Sequence, residues 1–112
     1  MLEEKYSQFW RNAQETAKNI KEKIEEGKVA RIISHFDADG ISSAGIICTA
    51  LLRLEASFHL TVVKQLTPEI LKDLEEEKYM FIIFTDVGSG QLNLIEKHLK
   101  QKEKIVIIDH HP

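Results

Sequence analysis

Acidic residues and histidines form three short clusters along this chain of 112 residues. The clusters lie in the sequences SHFDADG, TDVGSG and DHHP. The candidate functional residues within them are His35, Asp37, Asp39, Asp86, Asp109, His110 and His111. Carboxylate oxygens with a few imidazole nitrogens are ligands that suit Mn²⁺ or Mg²⁺. The residue types therefore indicate metal-dependent chemistry, provided that the fold brings the clusters together.

Bringing several of these carboxylates together requires a compensating positive charge. Two carboxylates ~4 Å apart repel by about 4 kcal/mol at an effective dielectric constant of 20. A small domain has a total stability of only about 5–15 kcal/mol, so it cannot sustain several such repulsions. Divalent cations remove the repulsion, and several bridging carboxylates favour a site with two cations. Two cations about 3.5–4 Å apart can bind a phosphoryl group and generate hydroxide for in-line attack.

Each cluster also has a structural explanation when it is taken alone. Asp39 could cap a helix while Gly40 allows the turn before it. TDVGSG is typical of an ordinary turn between a strand and a helix, and DHHP could be a polar turn before a proline. The combination favours a functional site, because all three clusters follow strand-like segments.

The segments around the clusters predict an α/β fold. Apolar runs rich in β-branched or aromatic residues predict strands at residues 29–33, 57–66, 80–85 and 104–108. Helical patterns follow the first three strands at residues 41–55, 68–78 and 91–101. This alternation predicts an open parallel sheet of about four strands with helices on both faces. The carboxyl ends of parallel strands share one edge of the sheet, so we expect the three clusters to meet there.

A long amphipathic helix is predicted before the first strand. Apolar residues recur at intervals of three and four from Tyr6 to Ile24, which places them on one face. Gly27 favours the end of this helix. We therefore expect a helix over residues 1–27 that packs on an α/β unit over residues 28–112. Trp10 lies beside the apolar face and could cover a neighbouring residue or meet a partner.

The composition limits the partners and the compartment. The net charge is −3, so any attraction for a nucleic acid must come from bound metal ions or from a segment beyond this sequence. Cys48 is the only cysteine, which excludes a disulfide within the chain, and its apolar surroundings indicate core packing. The sequence has neither a signal peptide nor the ~20 apolar residues of a membrane span, so we expect a soluble, cytoplasmic protein without a membrane partner. His59 and His98 are predicted to be structural.

The three clusters, in this order and spacing, resemble the motifs of the DHH phosphoesterase superfamily, which is named for its third motif. The resemblance covers nearly all of residues 28–112. The sequence DADG followed by Ile41 is most similar to the RecJ branch of single-strand exonucleases. The long N-terminal helix and the sequence FTDVGSG are most similar to archaeal RecJ-like nucleases that associate with the GINS replication complex.

The resemblance implies a role for each candidate residue in a site with two metal ions, Mn²⁺ or Mg²⁺. His35 and Asp37 would bind one ion and Asp39 the other. Asp86 would bridge the two ions, and His110 would bind the second. Bacterial RecJ proteins often have an aspartate at the position of His35. The implied catalytic residues are Asp109, which would support the site by hydrogen bonding, and His111, close to the substrate phosphate.

The resemblance implies a hydrolase that degrades single-stranded DNA or RNA. The family has a further metal-binding aspartate after DHH and a second domain that binds substrate, and neither is present in this sequence. We therefore expect residues 28–112 to be the N-terminal part of a longer DHH unit that is inactive alone. Two alternatives remain open: a replication scaffold that binds GINS, and an enzyme that acts on small phosphates or oligonucleotides.

Overall fold

The computed structural model describes residues 2–77, 80–101 and 104–109. The four helices are α1 (Leu2–Glu25), α2 (Ala38–Arg53), α3 (Pro68–Glu76) and α4 (Leu92–His98). The four strands are β1 (Val29–His35), β2 (Phe58–Val63), β3 (Met80–Thr85) and β4 (Ile105–Ile108). A short 3₁₀ helix over Ser89–Gln91 precedes α4.

The strands form one parallel sheet in the order β2-β1-β3-β4. In the register of this sheet, Ile33 of β1 lies between Thr61 of β2 and Phe84 of β3. Strand β4 pairs with β3 from Ile105 to Ile108. The predicted α/β fold, with a parallel sheet of four strands behind an N-terminal helix, is therefore confirmed.

Helices cover both faces of the sheet and divide the core into two layers. Strand β3 is buried almost throughout, which explains why its sequence MFIIFT has so little polar character. On one face, Phe81 and Ile83 pack with residues of α1 and α2 such as Ile24 and Leu51. On the other face, Phe84 packs with Leu71 and Leu74 of α3, with Ile95 of α4 and with Leu99, which directly follows α4.

The start of α3 follows the predicted capping chemistry. Thr67 is the N-cap residue, and its side-chain oxygen accepts a hydrogen bond from the backbone N–H of Ile70 at 3.2 Å. Pro68 occupies the first helical position, where its missing N–H costs nothing. The helix ends at Glu76, two residues before the predicted end.

Helix α1 packs on the sheet only through its C-terminal half. Ile20 and Ile24 contact the core layer that contains Phe81. Tyr6 and Phe9, which belong to the same apolar stripe, are 74% and 68% exposed. Trp10 beside them is 61% exposed. The prediction that the whole stripe packs on the domain is therefore wrong for the N-terminal half of this helix.

The residues that we predicted to be structural lie outside the group of candidate metal ligands among the described residues. His59 lies on the edge strand β2, and His98 is the last residue of α4. Cys48 is partly buried against the core layer of α1 and α2, and this burial raises the pKa of its thiol. Among the described residues, no helix has the length and apolar character needed to cross a membrane.

Candidate metal centre

The candidate site lies where the order of the strands reverses. Strand β1 lies between β2 and β3, and the chain runs from β1 to β2 on one side before it crosses to β3 on the other. The loops after β1 and β3 therefore diverge and leave a crevice between them. In open parallel sheets, ligands bind at this point, outside the carboxyl ends of the strands.

The loop after β1 is held in place by Asp37, which is the N-cap residue of α2. Its Oδ1 atom accepts a hydrogen bond of 2.7 Å from the backbone N–H of Gly40. The carbonyl oxygen of Gly40 accepts a further hydrogen bond of 2.6 Å from the buried Ser34 hydroxyl. The cap that we considered for Asp39 therefore belongs to Asp37, and Asp39 is exposed in the first turn of the helix.

The ring of His35 is oriented by two polar contacts. Its Nε2 atom lies 3.0 Å from the carbonyl oxygen of Lys64, and because a carbonyl only accepts, Nε2 carries the hydrogen. Its Nδ1 atom lies 2.8 Å from Oδ2 of Asp37. In this tautomer Nδ1 carries no hydrogen, so a metal ion held between Nδ1 and Oδ2 would satisfy both atoms. The ring thus presents Nδ1 as its ligand atom.

Asp86 enters the site from the end of β3. It is only 2% exposed, and its backbone N–H donates a 2.8 Å hydrogen bond to the carbonyl oxygen of Ile108. Its φ of 58° lies in the left-handed region, which aspartate tolerates better than most residues do. The ordered end of β4 therefore fixes a strained backbone position that directs a carboxylate into the protein.

These three residues form a cluster that can hold a cation. One ligand atom each from His35, Asp37 and Asp86 lie within 4.8 Å of one another. The N–H of Gly40 is the main cause that lowers the pKa of Asp37 below its ordinary value of 3.8, and His35 acts in the same direction while desolvation opposes both. Two carboxylates and an imidazole are a donor set that suits Mn²⁺ or Mg²⁺. The residues present therefore fit a metal ion.

A cavity of about 180 Å³ opens beside the cluster. Its lining includes residues from the ends of all four strands, namely His35, Lys64, Gln65, Asp86, Val87, Gly90, Gln91 and Asp109. The prediction from sequence considered the ends of only three strands and missed Lys64 and Gln65, which follow β2. The strand was predicted to run to residue 66, so these two residues were not placed at its carboxyl end.

The predicted site residues do not all lie in the cluster. Asp109 lines the same cavity, whereas Asp39 lies outside the group of three ligands. His110 and His111 lie outside the described residues. The structure thus brings the first and second motifs together and places the start of the third beside them.

A second large cavity, of about 380 Å³, lies near the amino-terminal ends of the strands. Lys28, Glu77, Met80 and Ile105 are among its lining residues. Arg31 and Glu77 form an ion pair of 3.1 Å in this part of the molecule. Within the described ranges the cavity contains none of the clustered ligands, so its size does not make it the candidate site.

Comparisons with known proteins agree with the geometry. The model of the DHH family, N-terminal domain, matches residues 30–112. An uncharacterised protein of Methanocaldococcus jannaschii is 42% identical in an alignment of 103 residues that covers 88% of this chain. The match covers 23% of that relative, so the chain spans about a quarter of its length.

Proposed function

Because the chain belongs to the DHH family, a group of metal-dependent phosphoesterases, we propose that it is the N-terminal part of a RecJ-like exonuclease for single-stranded DNA or RNA. The observation that carries this proposal is the cluster of His35, Asp37 and Asp86 at the switch point of the sheet. Two divalent cations, when bound, supply a hydroxide nucleophile and neutralise the phosphoryl oxygens.

The proposed roles of the residues are those that the resemblance to the DHH family implies. His35 and Asp37 would hold one cation from the loop after β1, and Asp86 would serve as a ligand from the end of β3. The cap on Asp37 and the hydrogen bond from His35 to Lys64 fix these ligands before a metal binds. Asp39 and His110 complete the ligand set in this proposal, Asp109 orients the site, and His111 contacts the phosphate.

Hydrolysis is proposed for the longer protein, not for these residues alone. The related archaeal protein is about four times as long as the matched region, and the family resemblance implies that a further motif and a second domain take part in hydrolysis. We expect this chain to leave 5′-phosphorylated single-stranded DNA intact in Mn²⁺. Degradation that Asp37→Ala abolishes would show that these residues suffice.

Calorimetric titration with Mn²⁺ tests the metal centre directly. We expect the chain to bind Mn²⁺, and Asp86→Asn to remove the binding, because this substitution replaces a bridging ligand with little change in volume. Asp73→Asn is the matched control, since it removes one carboxylate from α3 on the surface. Equal binding by the native chain and Asp86→Asn would contradict the proposed centre.

A second candidate function is partner binding through α1, which would suit a replication scaffold that binds the GINS complex. It is favoured by the exposure of Tyr6, Phe9 and Trp10, because adjacent exposed aromatic residues are typical of protein interfaces. A pull-down with purified GINS, compared between the native chain and Phe9→Ala/Trp10→Ala, tests it. Leu92→Ala, which truncates an exposed apolar residue on α4, is the control. Retention that is equal for all three chains would exclude this use of α1.

The remaining alternative is an enzyme that acts on small phosphates or short oligonucleotides. It shares the metal centre and differs only in substrate length. Turnover of pyrophosphate, dinucleotides and a long single strand by the full-length protein distinguishes the alternatives. We expect the long strand to be the preferred substrate.

A further inference from the structure

Lys64 follows the end of β2 and places a positively charged side chain at the cavity. The other charged or metal-binding side chains of the lining are carboxylates and His35. Lys64 and Gln65 line this cavity together with Asp86 and Asp109. Among the described lining residues, Lys64 is the one lysine or arginine. The chain has a net charge of −3, so a cation at this position is not part of a generally basic surface.

The backbone that carries Lys64 is fixed on both sides. The N–H of Phe36 donates a 2.8 Å hydrogen bond to the carbonyl oxygen of Val63, and the ring of His35 bonds the carbonyl oxygen of Lys64 at 3.0 Å. Leu66, two residues later, is 5% exposed and packs in the core. Lys64 and Gln65 thus form a short segment whose backbone is fixed at Val63 and at Leu66. This segment lies against the loop that carries the metal ligands.

The side chains of this segment are available to a ligand. Both Lys64 and Gln65 are exposed, and Lys64 forms no ion pair within the part of the chain that the structure describes. A lysine ammonium is a compact charge with three donors on a flexible stem, which suits the oxygens of a phosphate group. The cavity volume of about 180 Å³ equals about six water molecules in the liquid, which is enough for a phosphoryl group.

We propose that Lys64, with Gln65 beside it, binds a phosphate group of the substrate in the cavity next to the metal cluster. This inference rests on the proposed function in one respect, since it takes the substrate to be a phosphate ester. Bound cations would neutralise the carboxylates, and Lys64 would supply a further positive charge from the lining of the same cavity. Lys64 is thereby a substrate-positioning residue that the three acidic and histidine motifs do not contain.

The test measures the binding of deoxyadenosine 5′-monophosphate to the chain by calorimetry, with and without saturating Mn²⁺. Deoxyadenosine, which lacks the phosphate, and inorganic phosphate are measured in parallel, so that the contributions of the base and the phosphate are separated. We expect Lys64→Gln to weaken the binding of the monophosphate about ten-fold, as for loss of a hydrogen bond to a charged group. Its Mn²⁺ affinity should stay within about two-fold of the native value, and Lys64→Arg should restore most of the binding of the monophosphate.

Lys72→Gln is the matched control, because it removes one exposed lysine from α3 and changes the net charge equally. Equal affinities of the native chain and Lys64→Gln for the monophosphate would overturn the inference, as would absence of phosphate binding by the native chain. Phosphate binding that depends on Lys64, in a chain that binds no Mn²⁺, would support the inference while contradicting the proposed metal centre. Mn²⁺ binding without any phosphate binding would support the proposed metal centre and contradict the inference about Lys64.

Discussion

Substitution of Gly40 by alanine should destabilise the chain and the metal cluster together. A Cβ atom at this position would lie 2.6 Å from the carbonyl carbon of His35 and still closer to its oxygen, in a contact between two backbone segments. The end of β1 and the start of α2 would therefore have to separate. That movement would strain the bonds that Gly40 makes with Asp37 and Ser34.

The size of the effect follows from opposing contributions. Overpacking costs about 1–3 kcal/mol, and the loss of the Asp37 cap costs about 1 kcal/mol. Weakening of the buried hydrogen bond from Ser34 costs about 1 kcal/mol more. Replacing a helical glycine by alanine returns about 1 kcal/mol. We expect a net loss of about 3 kcal/mol in the free energy of unfolding, which lowers the Tm of a domain of this size by about 12 °C.

Gly45→Ala on the same helix is a matched control for this prediction. A Cβ atom there would meet no atom within 4 Å, so only the helix propensity changes. Thermal unfolding followed by circular dichroism should show a Tm for Gly45→Ala that is raised by about 2–4 °C. Mn²⁺ affinity should fall only in Gly40→Ala. A Tm for Gly40→Ala at or above the native value would refute the proposed close packing of His35 on α2.

Two further predictions concern capping residues. In EDTA, Asp37→Asn should lower the Tm at neutral pH, and this loss should become smaller in acid. The lowered pKa of Asp37 gives stability that is present above the unfolded value of 3.8 and is lost as the pH falls through the lower value of the folded chain. A Tm difference that is independent of pH would show that this charge is not stabilised by folding. Thr67→Ala should reduce the free energy of unfolding by about 1 kcal/mol, because the N–H of Ile70 loses its acceptor, whereas Thr67→Ser should preserve it. Urea denaturation measures the stability of both Thr67 variants. Equal midpoints for Thr67→Ala and Thr67→Ser would contradict the role of Thr67 as the cap.

The elements could be predicted from the sequence where burial on both faces leaves a continuous apolar run. Strand β3 has the predicted bounds for this reason. Strand β1 extends beyond the predicted residues 29–33, because Ser34 and His35 are held in the sheet by pairing with β2. Such pairing between distant segments leaves no periodic pattern. An apolar stripe likewise does not reveal what covers it, which is why the exposure of Tyr6 and Phe9 was not foreseen.

The site was predictable as an edge of the sheet but not as a set of contacts. The spacing of the motifs after strands was enough to bring His35, Asp37 and Asp86 together. It could not show that Asp37 both caps α2 and joins the cluster, since two aspartates precede Gly40 at equally plausible distances. Lys64 was missed because one lysine after a strand has no distinctive pattern, and only the hydrogen bond to His35 reveals its position.

Asp86 should stabilise the metal-bound chain and destabilise the chain without metal. Its carboxylate is buried, and a ligand atom of the Asp37 carboxylate lies within 4.8 Å. Asparagine has nearly the same shape, tolerates the left-handed conformation and can donate a hydrogen bond to Asp37. In EDTA, Asp86→Asn should therefore raise the free energy of unfolding, by less than the full Coulomb repulsion of two carboxylates because Asp37 is partly exposed to solvent.

The same variant should respond oppositely to Mn²⁺. A ligand that binds only the folded chain raises its stability by RT ln(1 + [L]/Kd), so the native Tm should rise with Mn²⁺ concentration. The Tm of Asp86→Asn should stay constant, and the two stabilities should cross as the metal is added. If Asp86→Asn is less stable than the native chain in EDTA, the buried carboxylate stabilises the fold and the reasoning is refuted. A crossing would show that its cost in stability is accepted for the binding of a cation.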